Sequence, residues 1–104
     1  MDSKRLECHE CYKDVVNDTG ATEMNCYNKD LVGTIPAELG ELTNLTSLNL
    51  YSNKLTGPIP AALGNLTKLK KCMLSRNKLN GTIPEELVSI NGLTDLGLEW
   101  NELT

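Results

Sequence analysis

Shifting the chain against itself by 24 residues superimposes its apolar and turn positions, and no other feature of this 104-residue sequence limits the fold so tightly. Leu31, Leu55, Leu79 and Leu103 fall together, followed by Gly33, Gly57 and Gly81, by Ile35, Ile59 and Ile83, and by Pro36, Pro60 and Pro84. Leu39, Leu63 and Leu87 recur next, then Leu42, Leu66 and Ile90, then Leu45, Leu69 and Leu93. Three further sets complete the period: Leu48, Cys72 and Leu96; Leu50, Leu74 and Leu98; and Asn53, Asn77 and Asn101. A unit this short cannot enclose a core alone, so neighbouring units must stack and share one. Phe is absent from the chain, which makes that shared core aliphatic.

Each unit sets Leu-x-Leu near its centre, an alternation that buries one face of a strand. A return of about eighteen residues separates one strand from the next, so the strands run parallel and stack at about 4.8 Å. Gly-x-Ile-Pro makes that return extended and kinked, since Pro fixes φ and Gly relieves the turn, while residues 37–40 and 61–64 suit a single helical or 3₁₀ turn. The Asn column predicts inward amides that satisfy backbone groups where the chain leaves each strand and that bond one coil to the next. Lys29 holds that place in the first unit and is costly to bury, which predicts an irregular first coil covered by the N-terminal segment. In that segment Leu6, Tyr12, Val15 and Val16 lie at helical spacing and residues 17–20 supply a stop, so residues 3–16 are expected to form a capping helix. The domain reading is a cap over residues 1–20 and repeats over 21–104, with coils at about 21–44, 45–68 and 69–92 and an incomplete one at 93–104.

The stretches LTNLTSLNLYSNKLTGPIPAALGNL and LTKLKKCMLSRNKLNGTIPEELVSI resemble the plant-specific class of leucine-rich repeat, and the likeness runs over about residues 21–104. The fold this resemblance implies is an α/β repeat solenoid: a right-handed superhelix of about four coils, with parallel strands on its concave face and the capping helix at its N-terminal end. Proteins with this repeat include receptor-kinase ectodomains and inhibitors of pathogen polygalacturonases. The resemblance therefore implies non-catalytic, extracellular recognition on the concave face.

Outward strand positions form columns across the sheet: Glu23, Ser47, Lys71 and Asp95; Asn25, Asn49, Met73 and Gly97; Tyr27, Tyr51, Ser75 and Glu99; Asn28, Ser52, Arg76 and Trp100. From these columns Tyr27, Asn49, Tyr51, Lys71, Met73, Arg76, Glu99 and Trp100 are the candidate ligand-binding residues, with Tyr, Arg and Trp the types that dominate covered interfaces. The competing expectation is that the columns only stabilise the sheet. Lys71 with Asp95, Lys78 with Glu102 and Lys54 with Asp30 set opposite charges one coil apart, and Arg76 can stack on Trp100.

Cys72 takes the place of a core leucine and is expected to be a buried free thiol. Cys26 occupies the inward position of the first strand, two coils away and too far to bond Cys72. Its expected disulfide partner is Cys8 or Cys11, closing a loop of about 15 to 18 residues that contributes about 3 kcal/mol in chain-entropy terms. Cys8, His9, Cys11 and Cys26 also supply enough ligands for zinc, but His9 sits between the cysteines and no second pair follows at finger spacing, so no metal is expected. Catalysis and a cofactor are not expected either. The single histidine lies in the cap, Glu85 and Glu86 suit the start of a helical turn, and the glycines recur with the coil instead of clustering around a phosphate.

Ten basic against 14 acidic residues leave a net charge of −4, which argues against nucleic acid and anionic lipid as partners. No apolar run reaches the roughly 20 residues that span a bilayer, so no membrane insertion is expected. The start, MDSKRLECHE, lacks the apolar core of a signal peptide, as a mature chain would. Asn-x-Thr sequons at Asn17, Asn44, Asn65 and Asn80, together with the cysteines, favour an extracellular or cell-surface location, with a cytoplasmic adaptor as the alternative. The expected partner is a protein or peptide. The last unit reaches Thr104 without its return, so its leucines are expected to be continued by further sequence or covered by another molecule. The alternative function is accordingly a homodimer joined through Leu96, Leu98, Trp100 and Leu103.

Overall fold

In the computed structural model, which describes residues 5–7 and 20–104, each 24-residue unit closes one coil and hands the chain to the next. Strands β1 (Arg5–Glu7), β2 (Glu23–Asn25), β4 (Ser47–Asn49), β6 (Lys71–Met73) and β8 (Asp95–Gly97) form a parallel sheet in that order. Their register follows the repeat: Glu23 lies opposite Ser47, Ser47 opposite Lys71, and Lys71 opposite Asp95. The centres of these strands point inward, with Met24, Leu48 and Cys72 fully buried. Aliphatic residues of the return pack on them, Leu39, Leu42, Leu63, Leu66 and Leu87 among them, in one continuous core.

A second sheet was not foreseen. Strands β3 (Val32–Thr34), β5 (Lys54–Pro58), β7 (Lys78–Gly81) and β9 (Glu102–Leu103) pair in parallel along the start of each return. The run read as a kinked connector still carries backbone N–H and C=O groups, and the adjacent coil lies at strand distance, so those groups pair. Here the register is 22 residues, Val32 facing Lys54 and Thr56 facing Lys78, two short of the repeat. Gly33, Gly57 and Gly81 hold φ of 89°, 80° and 79°, a left-handed backbone that a side chain adopts only at a cost.

On the far side, 3₁₀ turns at Ala37–Glu41 and Ala61–Asn65 and a short helix, α1 (Glu85–Val88), follow Pro36, Pro60 and Pro84. All three prolines are extended and close the first turn by accepting from the N–H three residues on, at 3.1 Å. Neighbouring turns approach so closely that a Cβ on Gly40 would stand 2.4 Å from the Ala62 carbonyl oxygen. One on Gly64 would stand 2.6 Å from Glu86 Cβ.

The Asn column joins coil to coil as the sequence predicts. Asn53 donates from Nδ2 to the Cys26 and Leu50 carbonyls at 2.8 and 2.9 Å, and its Oδ1 accepts from the Lys29 and Leu31 amides at 3.0 Å. Asn77 repeats this with Leu50, Leu74 and the Leu55 amide, and Asn101 with Leu74, Leu98 and the Leu79 amide. The Lys29 side chain is exposed, and the first coil differs locally: Asn28 and Asp30 both take φ of 57°, where later coils have one non-glycine residue of positive φ each. The expected helix over residues 3–16 does not begin as predicted, because Arg5–Glu7 add to the sheet as a strand beside β2. The rest of that segment lies outside the described residues, as does the capping reading that rests on it. Among the described residues no helix is long and apolar enough to cross a membrane.

Candidate recognition surface

Three-residue strands leave the outward side chains of the first sheet to define a surface, and alternation decides which those are. Tyr27 and Tyr51 follow their strands on consecutive coils and stay exposed, by 49% and 37%. Asn49 is half-buried because its Oδ1 accepts from the Tyr51 amide at 3.1 Å, fixing the backbone that presents the ring. On the next two coils the same column is a serine and a glutamate. Ser75 is buried and donates from Oγ to Glu99 Oε1 at 2.9 Å. Glu99's own backbone N–H and the Ser75 hydroxyl hold its carboxyl below the usual carboxylate range, so it stays anionic on an exposed rim.

The neighbouring column steps down. A Cβ on Gly97 would come within 2.8 Å of Met73 Cε and 2.9 Å of Ser75 Oγ, so Met73 lies half-buried against the bare backbone of β8. Asn25, in the same column, encloses its Oδ1 without a hydrogen-bond partner. The surface thus has two raised rings over β2 and β4 and a lower floor over β6 and β8, with Lys71 exposed at one margin and Arg76, Glu99 and Trp100 exposed at the other.

That second margin carries backbone strain. Asn28, Ser52, Arg76 and Trp100 take φ of 57°, 60°, 62° and 64° at equivalent places, a conformation that costs about 1–2 kcal/mol for a residue with a Cβ. The turn lets the first three amides donate to the adjacent coil, Asn28 to the Tyr51 carbonyl at 2.8 Å, Ser52 to that of Ser75 at 2.9 Å and Arg76 to that of Glu99 at 3.0 Å. Arg76 Cζ stands 5.2 Å from the Trp100 ring centroid, within cation–π range, although the indole remains 70% exposed. Asn tolerates this backbone and hints at it in sequence, whereas Ser, Arg and Trp give no such signal.

The eight candidate residues therefore lie on one face, but not as equals. Tyr27, Tyr51, Lys71, Arg76, Glu99 and Trp100 are exposed, while Asn49 and Met73 are half-buried and shape what surrounds them. Of the charge pairs expected to knit the coils, Lys54 meets Asp30 at 3.5 Å with both side chains largely in solvent. Lys71 and Asp95 sit opposite each other without an ion pair, and none joins Lys78 to Glu102, since an exposed pair gains too little to hold two flexible chains together.

Cys72 is a free, buried thiol whose pKa burial pushes up to about 12, so it is inert filler in the leucine column. Cys26 is disulfide-bonded. Its sulfur is thereby committed, which removes a ligand from the zinc alternative; Cys8, His9 and Cys11 themselves lie outside the described residues. Among the described residues no cluster of three His, Cys, Asp or Glu side chains is placed to hold a metal ion.

A leucine rich repeat family model matches residues 43–103. None of the curated proteins compared with the chain matches it. Among solved structures, a chain of the BIR3–SERK2 complex from Arabidopsis thaliana superposes with a TM-score of 0.84 at 32% identity, covering 96% of this chain and 52% of that one. The ectodomain of the Arabidopsis receptor kinase HAESA, in complex with an IDA peptide hormone ligand, gives 0.80 at 31% identity over 86% of this chain and 15% of its own. A plant ice-binding protein gives 0.81 at 35% identity over 94% of this chain and 34% of its own. The chain spans about half the length of the first of these and smaller parts of the others.

Proposed function

The chain belongs to the leucine-rich repeat family, and from that membership we propose that it is a non-catalytic recognition module whose five-stranded face binds a protein or peptide partner. The observation that carries this is the pair of exposed phenol rings on consecutive coils, Tyr27 and Tyr51, with the Arg76–Trp100 stack across the same face. These are the residue types that supply most binding energy once a partner excludes water from them. Support comes from the matched structures, one a chain of a two-protein complex and one an ectodomain holding a peptide hormone. The place of action proposed is the extracellular space or cell surface. The Cys26 disulfide supports it, since such bonds persist in oxidising compartments and are rare in the cytosol, where an adaptor would work.

The test compares two variant sets as baits for proteins and peptides of the extracellular fluid. Joint Tyr27→Ala, Tyr51→Ala and Trp100→Ala should abolish retention of any partner that the unaltered chain holds, while Glu38→Ala with Val88→Ala on the turn side should leave it intact. Equal retention by both sets overturns the assignment to this face.

A second reading, a homodimer, draws on the last coil. Leu96, Leu98 and Leu103 are only partly buried, whereas their counterparts Cys72, Leu74 and Leu79 are fully enclosed. A second copy covering these leucines and Trp100 would complete the enclosure. Sedimentation velocity showing a monomer across a wide concentration range sinks it.

A further inference from the structure

We infer that Asn65 is an N-glycosylation site whose first N-acetylglucosamine seats in a hollow on the turn side between the second and third coils. The three sequons in the described part of the chain differ in what the fold allows them. At Asn44 the side chain is half-buried, its Oδ1 accepts from Lys68 Nζ at 3.0 Å, and the Thr46 hydroxyl is committed to the Thr22 carbonyl at 3.1 Å. Asn80 is exposed but lies inside β7, paired to β5 on one side and β9 on the other. Asn65 instead ends the second 3₁₀ turn, exposed along with Thr67, whose amide donates back to the Asn65 carbonyl at 2.9 Å. That bond closes a three-residue turn at the sequon, in a segment that belongs to neither sheet.

The hollow beside it supplies the second observation. It measures about 320 Å³, at the small end of ligand sites, and is lined with apolar groups from Ala61, Gly64 and Ile90 and polar ones from Glu86, Ser89 and Asn91. A pyranose ring has the same division, a C–H face and an edge of hydroxyl and acetamido groups. The sugar is therefore held as well as attached. In the linking reaction Asn65 Nδ2 bonds to C1 of N-acetylglucosamine as the bond from C1 to the diphosphate oxygen of a lipid-linked oligosaccharide breaks. The lipid diphosphate leaves with the bonding pair, Nδ2 gives up one proton, and nothing is oxidised or reduced. A glycan here stands on the side of the coil away from Tyr27 and Tyr51 and leaves the proposed binding face open.

The inference rests on the extracellular reading, because the donor is met only along the secretory route, and its test separates the two. The full chain is secreted from a eukaryotic host behind a supplied, cleavable signal, then mapped by peptide mass before and after treatment with peptide N-glycosidase, which leaves Asp at each occupied site. The expected result is a glycan on Asn65 that Asn65→Gln removes. The glycosylated chain should also melt about 4 °C above the enzymatically treated one, a difference that Ser89→Arg, by filling the hollow, should erase. An unmodified Asn65 in secreted chain with the Cys26 disulfide formed overturns the inference alone. Occupancy without a melting shift, or a shift that survives Ser89→Arg, overturns the seating. Finding the endogenous chain in the cytosol would instead overturn the extracellular reading, whatever the secreted form shows.

Discussion

On the turn side the coils are spaced by backbone against backbone, whereas on the five-stranded face they are spaced by strand pairing and the side chains stand free of the limit. Gly40 and Gly64 fill the closest approaches, where even a methyl group would collide with the next coil. Opposite them, single columns run through Tyr, Tyr, Ser and Glu, or through Asn, Ser, Arg and Trp, with no common size or charge. One side of the solenoid is fixed by backbone contact, and the other varies in its side chains except where Gly97 leaves room for Met73 and Ser75. The Asn column lies between the two, and its amides tie both to the same pitch.

Substitutions in that column should break the comparison most completely. Asn77→Ala leaves the Leu55 amide without its partner inside the core and takes one of two amide donors from each of the Leu50 and Leu74 carbonyls, which keep Asn53 and Asn101; three buried hydrogen bonds lost should cost about 3 kcal/mol. Asn101→Ala, at a half-exposed site that water can enter, should cost about a third of that, and urea unfolding of the two measures the difference. On the turn side, Gly40→Ala should cost about 2 kcal/mol through overpacking, against about 1 kcal/mol for Gly33→Ala, where a Cβ meets nothing and only the left-handed backbone resists. If the two glycine variants melt alike, backbone spacing does not set the approach of the turns. On the open face, Trp100→Ala and Trp100→Gly both lose the stack on Arg76, but only glycine relieves a φ of 64°, so the glycine variant should be the more stable by about 1 kcal/mol. Smallest of all, Asp30→Asn should shift stability by no more than about 0.5 kcal/mol, a difference that disappears in high salt.

The coil, its core and its Asn bridges were legible because burial forces the same residue type back to the same place in every unit. The second sheet was hidden for a related reason. Val32–Thr34 and Lys54–Pro58 carry Gly and Pro, which punctuate loops in sequence, yet here a left-handed glycine lies inside a paired strand. Alternation placed Tyr27, Tyr51 and Trp100 outside, but it also counted Ser75 as outward and open. Its hydroxyl is taken up by Glu99 and it lies against the bare backbone of Gly97, contacts set by side-chain reach and size, which no period records. Of the three charge pairs read from the sequence, Lys54 with Asp30 forms, while Lys71 with Asp95 and Lys78 with Glu102 do not, because proximity on paper omits the entropy of holding two solvated side chains together.

The Asn bridges repeat at three successive coil boundaries: an amide reaches a carbonyl 27 residues back, from Asn53 to Cys26, from Asn77 to Leu50 and from Asn101 to Leu74. A ladder of interchangeable rungs has no privileged starting point. A duplicated stretch of coding sequence one unit long therefore inserts a new rung wherever its ends happen to fall, while a stretch that is not a whole number of units pulls an amide off its carbonyl. Lengthening by whole coils is thus the change this architecture accepts most readily, and each added coil extends the five-stranded face by one strand with its own outward side chains.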